Sequence, residues 1–194
     1  MATLKYVREV KNSRLLSLGI VEGEESARYT VTESIYLEIG RPGLGDELTD
    51  EDMSAIKYAD ELVRAEKKAL SLLSYADNNR RTLKQKLLRA GFGYEISDTV
   101  CEKMCSLGYI DENRQLERLV LIEANTKLRG PERIIPALVA KGYSLADVKA
   151  VMRELVDSGV IDFRKNAKTL INKKLPDADI EEKRKFLYKN GYKI

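Results

Sequence analysis

The spacing of apolar residues along the chain changes near residue 50. Before it, "LKYVREV" (4–10), "RLLSLGIV" (14–21) and "ARYTVTESIYLEI" (27–39) are rich in Val, Ile, Tyr and Thr, and "KNS" and "EGEES" separate them. That pattern predicts three strands joined by turns. Tyr6, Val7 and Val10 do not alternate cleanly. "GRPGLGDEL" (40–48) follows, with three glycines and a proline. It lacks the Lys-Ser/Thr pair that closes a phosphate-binding loop and the spacing of a dinucleotide fingerprint, so it reads as a connector.

After residue 48 the apolar period becomes helical. Thr49 can cap a helix, with Asp52 three positions on imitating a capping box. The spacing predicts a long helix from Glu51 to about Tyr75, with Met53, Ile56, Leu62, Val63, Leu70 and Leu73 on its apolar side. "ADNNR" ends it. A second helix is expected over about Thr82 to Ala90. A third is expected over about Tyr94 to Leu107, with Ile96, Val100, Met104 and Leu107 in one stripe.

The helical part repeats itself. Gly91 and Gly142 are 51 residues apart, and so are "GYID" at Gly108 and "GVID" at Gly159. The same shift carries Leu87 onto Leu138, Cys101 onto Met152, Met104 onto Leu155, Cys105 onto Val156 and Leu119 onto Leu170. Gly191 lies 49 residues beyond Gly142. A constant offset through landmarks and core positions marks an internal repeat. Each unit is expected to hold three helices, the second ending in a left-handed glycine (Gly91, Gly142, Gly191). The aromatic that follows (Phe92, Tyr143, Tyr192) is expected to fold back over the helix end. The third unit has room for two helices, about Asp162 to Lys174 and Ile180 to Lys189. The expected organisation is a strand-rich extension over 1–50, three-helix repeats over 51–111 and 112–161, and a two-helix repeat over 162–194. The expected fold class is mainly α: tandem three-helix repeats behind a small β-rich segment.

Composition narrows the chemistry. The 194 residues are 43% hydrophobic and 34% charged, which suits a modular, surface-rich chain. No apolar run approaches the roughly 18 residues of a membrane span, and "MATLKYVREV" lacks the apolar core of a signal peptide, so a cytoplasmic protein without membrane contact is expected. Histidine is absent, which removes the commonest metal ligand and neutral-pH base. Cys101 and Cys105 read as reduced residues packed among apolar neighbours, with a redox or metal role as the alternative. No catalytic constellation is found, and neither an enzyme nor a cofactor is expected.

The net charge of +3 hides a gradient. Residues 1–50 hold six basic and nine acidic residues, whereas the last 31, from Arg164, hold ten and four. An acidic head and a basic body point to a polyanion or an acidic protein surface. Candidate partner-binding residues fall in three groups. Arg80, Arg81, Lys84, Lys86 and Arg89 crowd one short helix. Lys127, Arg129 and Arg133 surround "LRGPERI", where Pro131 can open a helix whose free N–H groups would face an anion. Lys183, Arg184, Lys185 and Lys189 repeat the theme near the C-terminus. On these features alone, a direct nucleic-acid-binding module and a scaffold for another complex both remain open.

Over roughly residues 60–194 the chain resembles the RecX regulatory proteins. The phrases that carry the resemblance are "KKALSLLSYADNNRRTLKQKLLRAGF", "GYIDENRQLERLV", "LRGPERIIPALVAKGY" and "RKFLYKNGY". One departure stands out: Asp111-Glu112 of the first unit becomes Asp162-Phe163 in the second. The resemblance implies tandem three-helix repeats in an elongated, curved arrangement, in a monomer that binds the RecA filament on single-stranded DNA, lodges in its groove and restrains its growth and ATPase activity. DNA contact is an optional addition in that picture.

Overall fold

The computed structural model describes residues 1–193. Strands β1 (Ala2–Glu9), β2 (Leu15–Glu22), β3 (Glu25–Thr32) and β4 (Glu47–Leu48) form an antiparallel sheet in the order β3-β2-β1-β4. The uneven spacing around Tyr6 has a structural cause. The β1–β2 register shifts between Leu4 and Tyr6, so Lys5 is a bulge and side chains on either side of it keep their faces. Leu4, Leu18, Ile20 and Val31 therefore point the same way and are buried.

The expected third strand is too long. It stops at Thr32, and Glu33–Glu38 forms helix α1. The Thr32 hydroxyl accepts a hydrogen bond from the Ile35 amide, and Glu33 lies in the first turn, where its charge favours the helix dipole. Two local polar choices thus override the β-favouring Ile35 and Tyr36.

Helix α2 (Asp50–Tyr75) opens with the expected capping box: the Thr49 hydroxyl accepts from the Asp52 amide, and the Asp52 carboxylate accepts from the Thr49 amide at 2.9 Å. Its first turns complete the sheet's core, with Met53, Ile56 and Ala59 buried against Leu4, Leu18, Ile20 and Val31. Each fully buried Leu or Ile contributes about 1.5–3 kcal/mol. The buried carboxylate of Asp60 accepts from the Thr30 amide at 2.7 Å and pairs with Arg64, tying α2 to the free edge of β3.

The helices then follow as α3 (Arg80–Arg89), α4 (Tyr94–Ser106), α5 (Glu112–Leu121), a π-helical turn (Ile122–Thr126), α6 (Pro131–Ala140), α7 (Leu145–Asp157), α8 (Phe163–Lys174) and α9 (Ile180–Lys189). The limits of α3, α4, α8 and α9 lie within two residues of those expected. The chain divides into two compact units. The first joins Met1–Ala76 to Lys84–Met104, and the second joins Asp77–Leu83 to Cys105–Ile194. The core of the second unit comprises Leu116, Val120, Ile134, Leu138, Tyr143, Val148, Leu155 and Ile161. Cys101 is buried and Cys105 half-buried, both as thiols. Among the described residues no helix is long and apolar enough to cross a membrane.

Candidate partner-binding surface

The cations are held by helices whose ends are locked in one recurring way. At all three landmark glycines the backbone is left-handed, with φ of 91° at Gly91, 102° at Gly142 and 87° at Gly191. Each closes a Schellman motif. The Phe92, Tyr143 and Tyr192 amides reach back to Leu87, Leu138 and Leu187, and each glycine amide bonds to the next carbonyl along. Two of the aromatics are built into the second unit. Tyr143 belongs to the second unit's core, and the buried Tyr192 donates its hydroxyl to the Leu128 carbonyl at 2.9 Å.

Two of these helix ends complete the starts of other helices. In the first junction Asn79 caps α3, accepting from the Thr82 amide at 2.8 Å, while its side-chain N–H donates to the Lys141 carbonyl at the end of α6 at 2.9 Å. The Glu112 carboxylate accepts from the Arg80 amide at 2.7 Å. In the second junction the start of α6 meets the end of α9. The Gly130 amide donates to the Asn190 carbonyl at 2.8 Å, the Glu132 amide to the Gly191 carbonyl at 3.1 Å and the Arg133 guanidinium to the Lys189 carbonyl at 3.0 Å. The positive end of one helix is thereby neutralised by the negative end of another. This corrects the expectation at "LRGPERI": the N–H groups offered there to an anion are taken by backbone carbonyls of the same chain.

The twelve candidate cations separate by environment. Lys127 and Arg129 precede α6 and both turn onto the buried Glu123, at 2.7 and 2.5 Å. Burial alone would raise the Glu123 carboxyl; its two cationic partners outweigh that and hold it below the usual carboxylate range. These two cations serve the π-helical turn. Arg133 is engaged at the second junction, beside a cavity of about 460 Å³ that Tyr188, Lys189 and Tyr192 also line.

On α3, Lys84 pairs with Asp98 at 2.8 Å and lies 3.6 Å from the centre of the Tyr94 ring. Its hydrogen bonds to Asp98 and Tyr94 push its pKa above the ordinary lysine value. The Arg80 amide is held by Glu112. Arg81, Lys86 and Arg89 are exposed. On α9, Lys183 donates to the Pro176 carbonyl at 3.0 Å, Lys185 lies 3.6 Å from Glu181, and Arg184 and Lys189 are exposed. Arg184, Lys185, Tyr188 and Lys189 line one shallow cavity of about 440 Å³. The structure thus leaves Arg81, Lys86 and Arg89 on α3, and Arg184, Lys185 and Lys189 on α9, as the outward-facing members of the set. The sequence reading passed over α8, whose five cations all face solvent; their freedom from acidic neighbours along the helix was the available signal.

No family model matches the chain. Its fold resembles that of a crystal structure titled regulatory protein RecX, with a TM-score of 0.75 at 20% identity, over 100% of this chain and 95% of that one. A RecX structure from Lactobacillus salivarius gives 0.60 over 70% of this chain and 90% of that one. In sequence, 75% of the chain matches the regulatory protein RecX of Clostridioides difficile at 26% identity. The corresponding Stenotrophomonas maltophilia protein is 31% identical over 121 residues, and the match spans 71% of its length. The chain belongs to the RecX family of regulatory proteins. The match spans 66% of the Clostridioides RecX and 44% of a RecX from Listeria monocytogenes. This RecX-family chain is built mainly of helices, with a small sheet at its N-terminal end.

Proposed function

We propose that the chain is a cytoplasmic monomer that binds the RecA filament on single-stranded DNA and restrains its growth and ATPase activity. The observation that carries this reading is family membership combined with outward cations on two separate helices, Arg81, Lys86 and Arg89 on α3 and Arg184, Lys185 and Lys189 on α9. The repeat division at 51–111, 112–161 and 162–194 belongs to the same reading: successive units would meet successive protomers of a periodic target. The mechanism is linkage. A protein that binds one filament state better than another shifts the population toward it without chemistry of its own.

The test is RecA ATPase on single-stranded DNA with the protein titrated in. Inhibition saturating with added protein is expected, and loss of it in the charge reversal Arg81→Glu/Arg89→Glu would assign the α3 face. Unchanged ATPase with the wild-type protein would overturn the reading. A direct DNA-binding role is the second reading, favoured by the same exposed cations. It is distinguished by binding to bare DNA that equals or exceeds binding to the filament.

A further inference from the structure

We infer that the outer face of α8 is a docking track for the phosphate backbone of DNA. Arg164, Lys165, Lys168, Thr169, Asn172 and Lys173 form one exposed face, and Lys174 adds a further cation at its end. The helix contains no Asp or Glu, and none of its five cationic side chains makes an ion pair among the described residues. On other segments of the second unit several cations are answered by acids: Arg118 by Asp77, Lys127 and Arg129 by Glu123, Lys185 by Glu181 and Lys193 by Glu132.

The fold does not demand this charge. First, the 51-residue shift places Arg164, Lys165 and Lys168 over Asn113, Arg114 and Glu117 of α5, a helix of mixed charge in the equivalent place. Packing is therefore satisfied by other residues there. Second, Arg164 and Lys165 sit in the first turn of α8, where the helix dipole disfavours cations, and Arg164 and Lys168 are like charges one turn apart. Lys173 and Lys174 lie in the last turn, where the dipole favours them. Three cations thus stand against local electrostatics. The nearest acidic residue in sequence, Asp162, is spent on capping, accepting from the Arg164 and Lys165 amides at 2.9 and 3.0 Å.

A row of flexible cations without an aromatic residue fits a polyphosphate chain and offers no stacking platform for bases. Binding should be indifferent to sequence. The inference concerns bare DNA and does not rest on the RecA reading, so the two fail separately.

The test is fluorescence anisotropy of a labelled oligothymidylate, without RecA, from 50 to 300 mM KCl. The variant Arg164→Gln/Lys165→Gln/Lys168→Gln should lower the log–log salt slope by about 2, since each lost phosphate contact on a single strand removes ~0.7. Arg164→Lys/Lys165→Arg/Lys168→Arg should keep the slope and controls for any loss of structure. An unchanged slope in a folded triple-Gln variant would overturn the inference. So would displacement of the oligonucleotide by polyglutamate at equal charge, which would assign the face to an acidic protein instead.

Discussion

The two helix junctions of the second unit solve one problem with different chemistry. Each satisfies the orphan N–H groups of a helix start and ties that start to the end of a later helix. At the start of α3 the work is done by side chains, with Asn79 reaching the Lys141 carbonyl and Glu112 taking the Arg80 amide. At the start of α6 the backbone does it directly, because glycine at 130 lets the Asn190 and Gly191 carbonyls approach. The partner of the buried tyrosine changes in step. Burial raises the Tyr143 pKa and the Glu112 charge adds to the rise, whereas the 51-residue equivalent of Glu112, Phe163, packs edge-on against Tyr192 at 6.5 Å. The loss of the second acidic residue of the "GYID-E" phrase in the later repeat is therefore an exchange. Where no amide needs a carboxylate, the position turns apolar. Geometry is repeated, and residue identity is free wherever another group can meet the same bond.

The sharpest way to break this contrast is to add a β-carbon at the second junction. At Gly130 it would collide with the Gly191 carbonyl, part of the backbone, so Gly130→Ala should cost about 3 kcal/mol or more in chemical denaturation. Hydrogen exchange should show the protection of α9 falling first. The matched change at the first junction, Asn79→Ala, removes a side-chain cap and should cost only about 1–2 kcal/mol. Equal losses at the two sites would erase the distinction between backbone and side-chain junctions.

Glu123→Gln should cost about 1–3 kcal/mol at pH 7 by leaving Lys127 and Arg129 without their countercharge. Because the folded carboxyl is held below its unfolded value, this contribution is present above the unfolded pKa and fades as pH falls through the folded one. The difference between wild type and variant should therefore shrink in acid melts.

The smallest effect separates the two tyrosines. Burial pushes the Tyr192 hydroxyl up to about 12 from an ordinary value near 10. The unfolded chain loses this proton first, so the associated stability is intact below pH 10 and drains away between about pH 10 and 12. Tyr192→Phe should flatten that alkaline decline as followed by circular dichroism. A decline of unchanged steepness would place its source elsewhere.

Much of this was legible in the sequence, and the boundary of legibility is physical. Gly91, Gly142 and Gly191 could be read because a left-handed helix end leaves few alternatives to glycine. The starts of the same helices could not be read as a repeat. Asn79 and Gly130 share no side-chain chemistry, and what unites them is a carbonyl some sixty residues later. The capping box at Thr49 was local and visible, whereas the Thr32 cap was hidden in a run of strand-forming residues. The cations were easy to count and hard to sort. Nothing in "NTKLRG" announces that Lys127 and Arg129 are committed to Glu123 inside a π-helical turn, or that α6 opens onto α9.

The borrowed helix ends also bear on how the chain is made. Asn79 must wait for Lys141, and Gly130 for Asn190, so on a ribosome each of these helix starts emerges long before the carbonyl that completes it. Assembly of the second unit should accordingly close its first junction before its second, and a polypeptide stalled between residues 142 and 189 would carry a finished α3 start beside an α6 start still waiting for its seal.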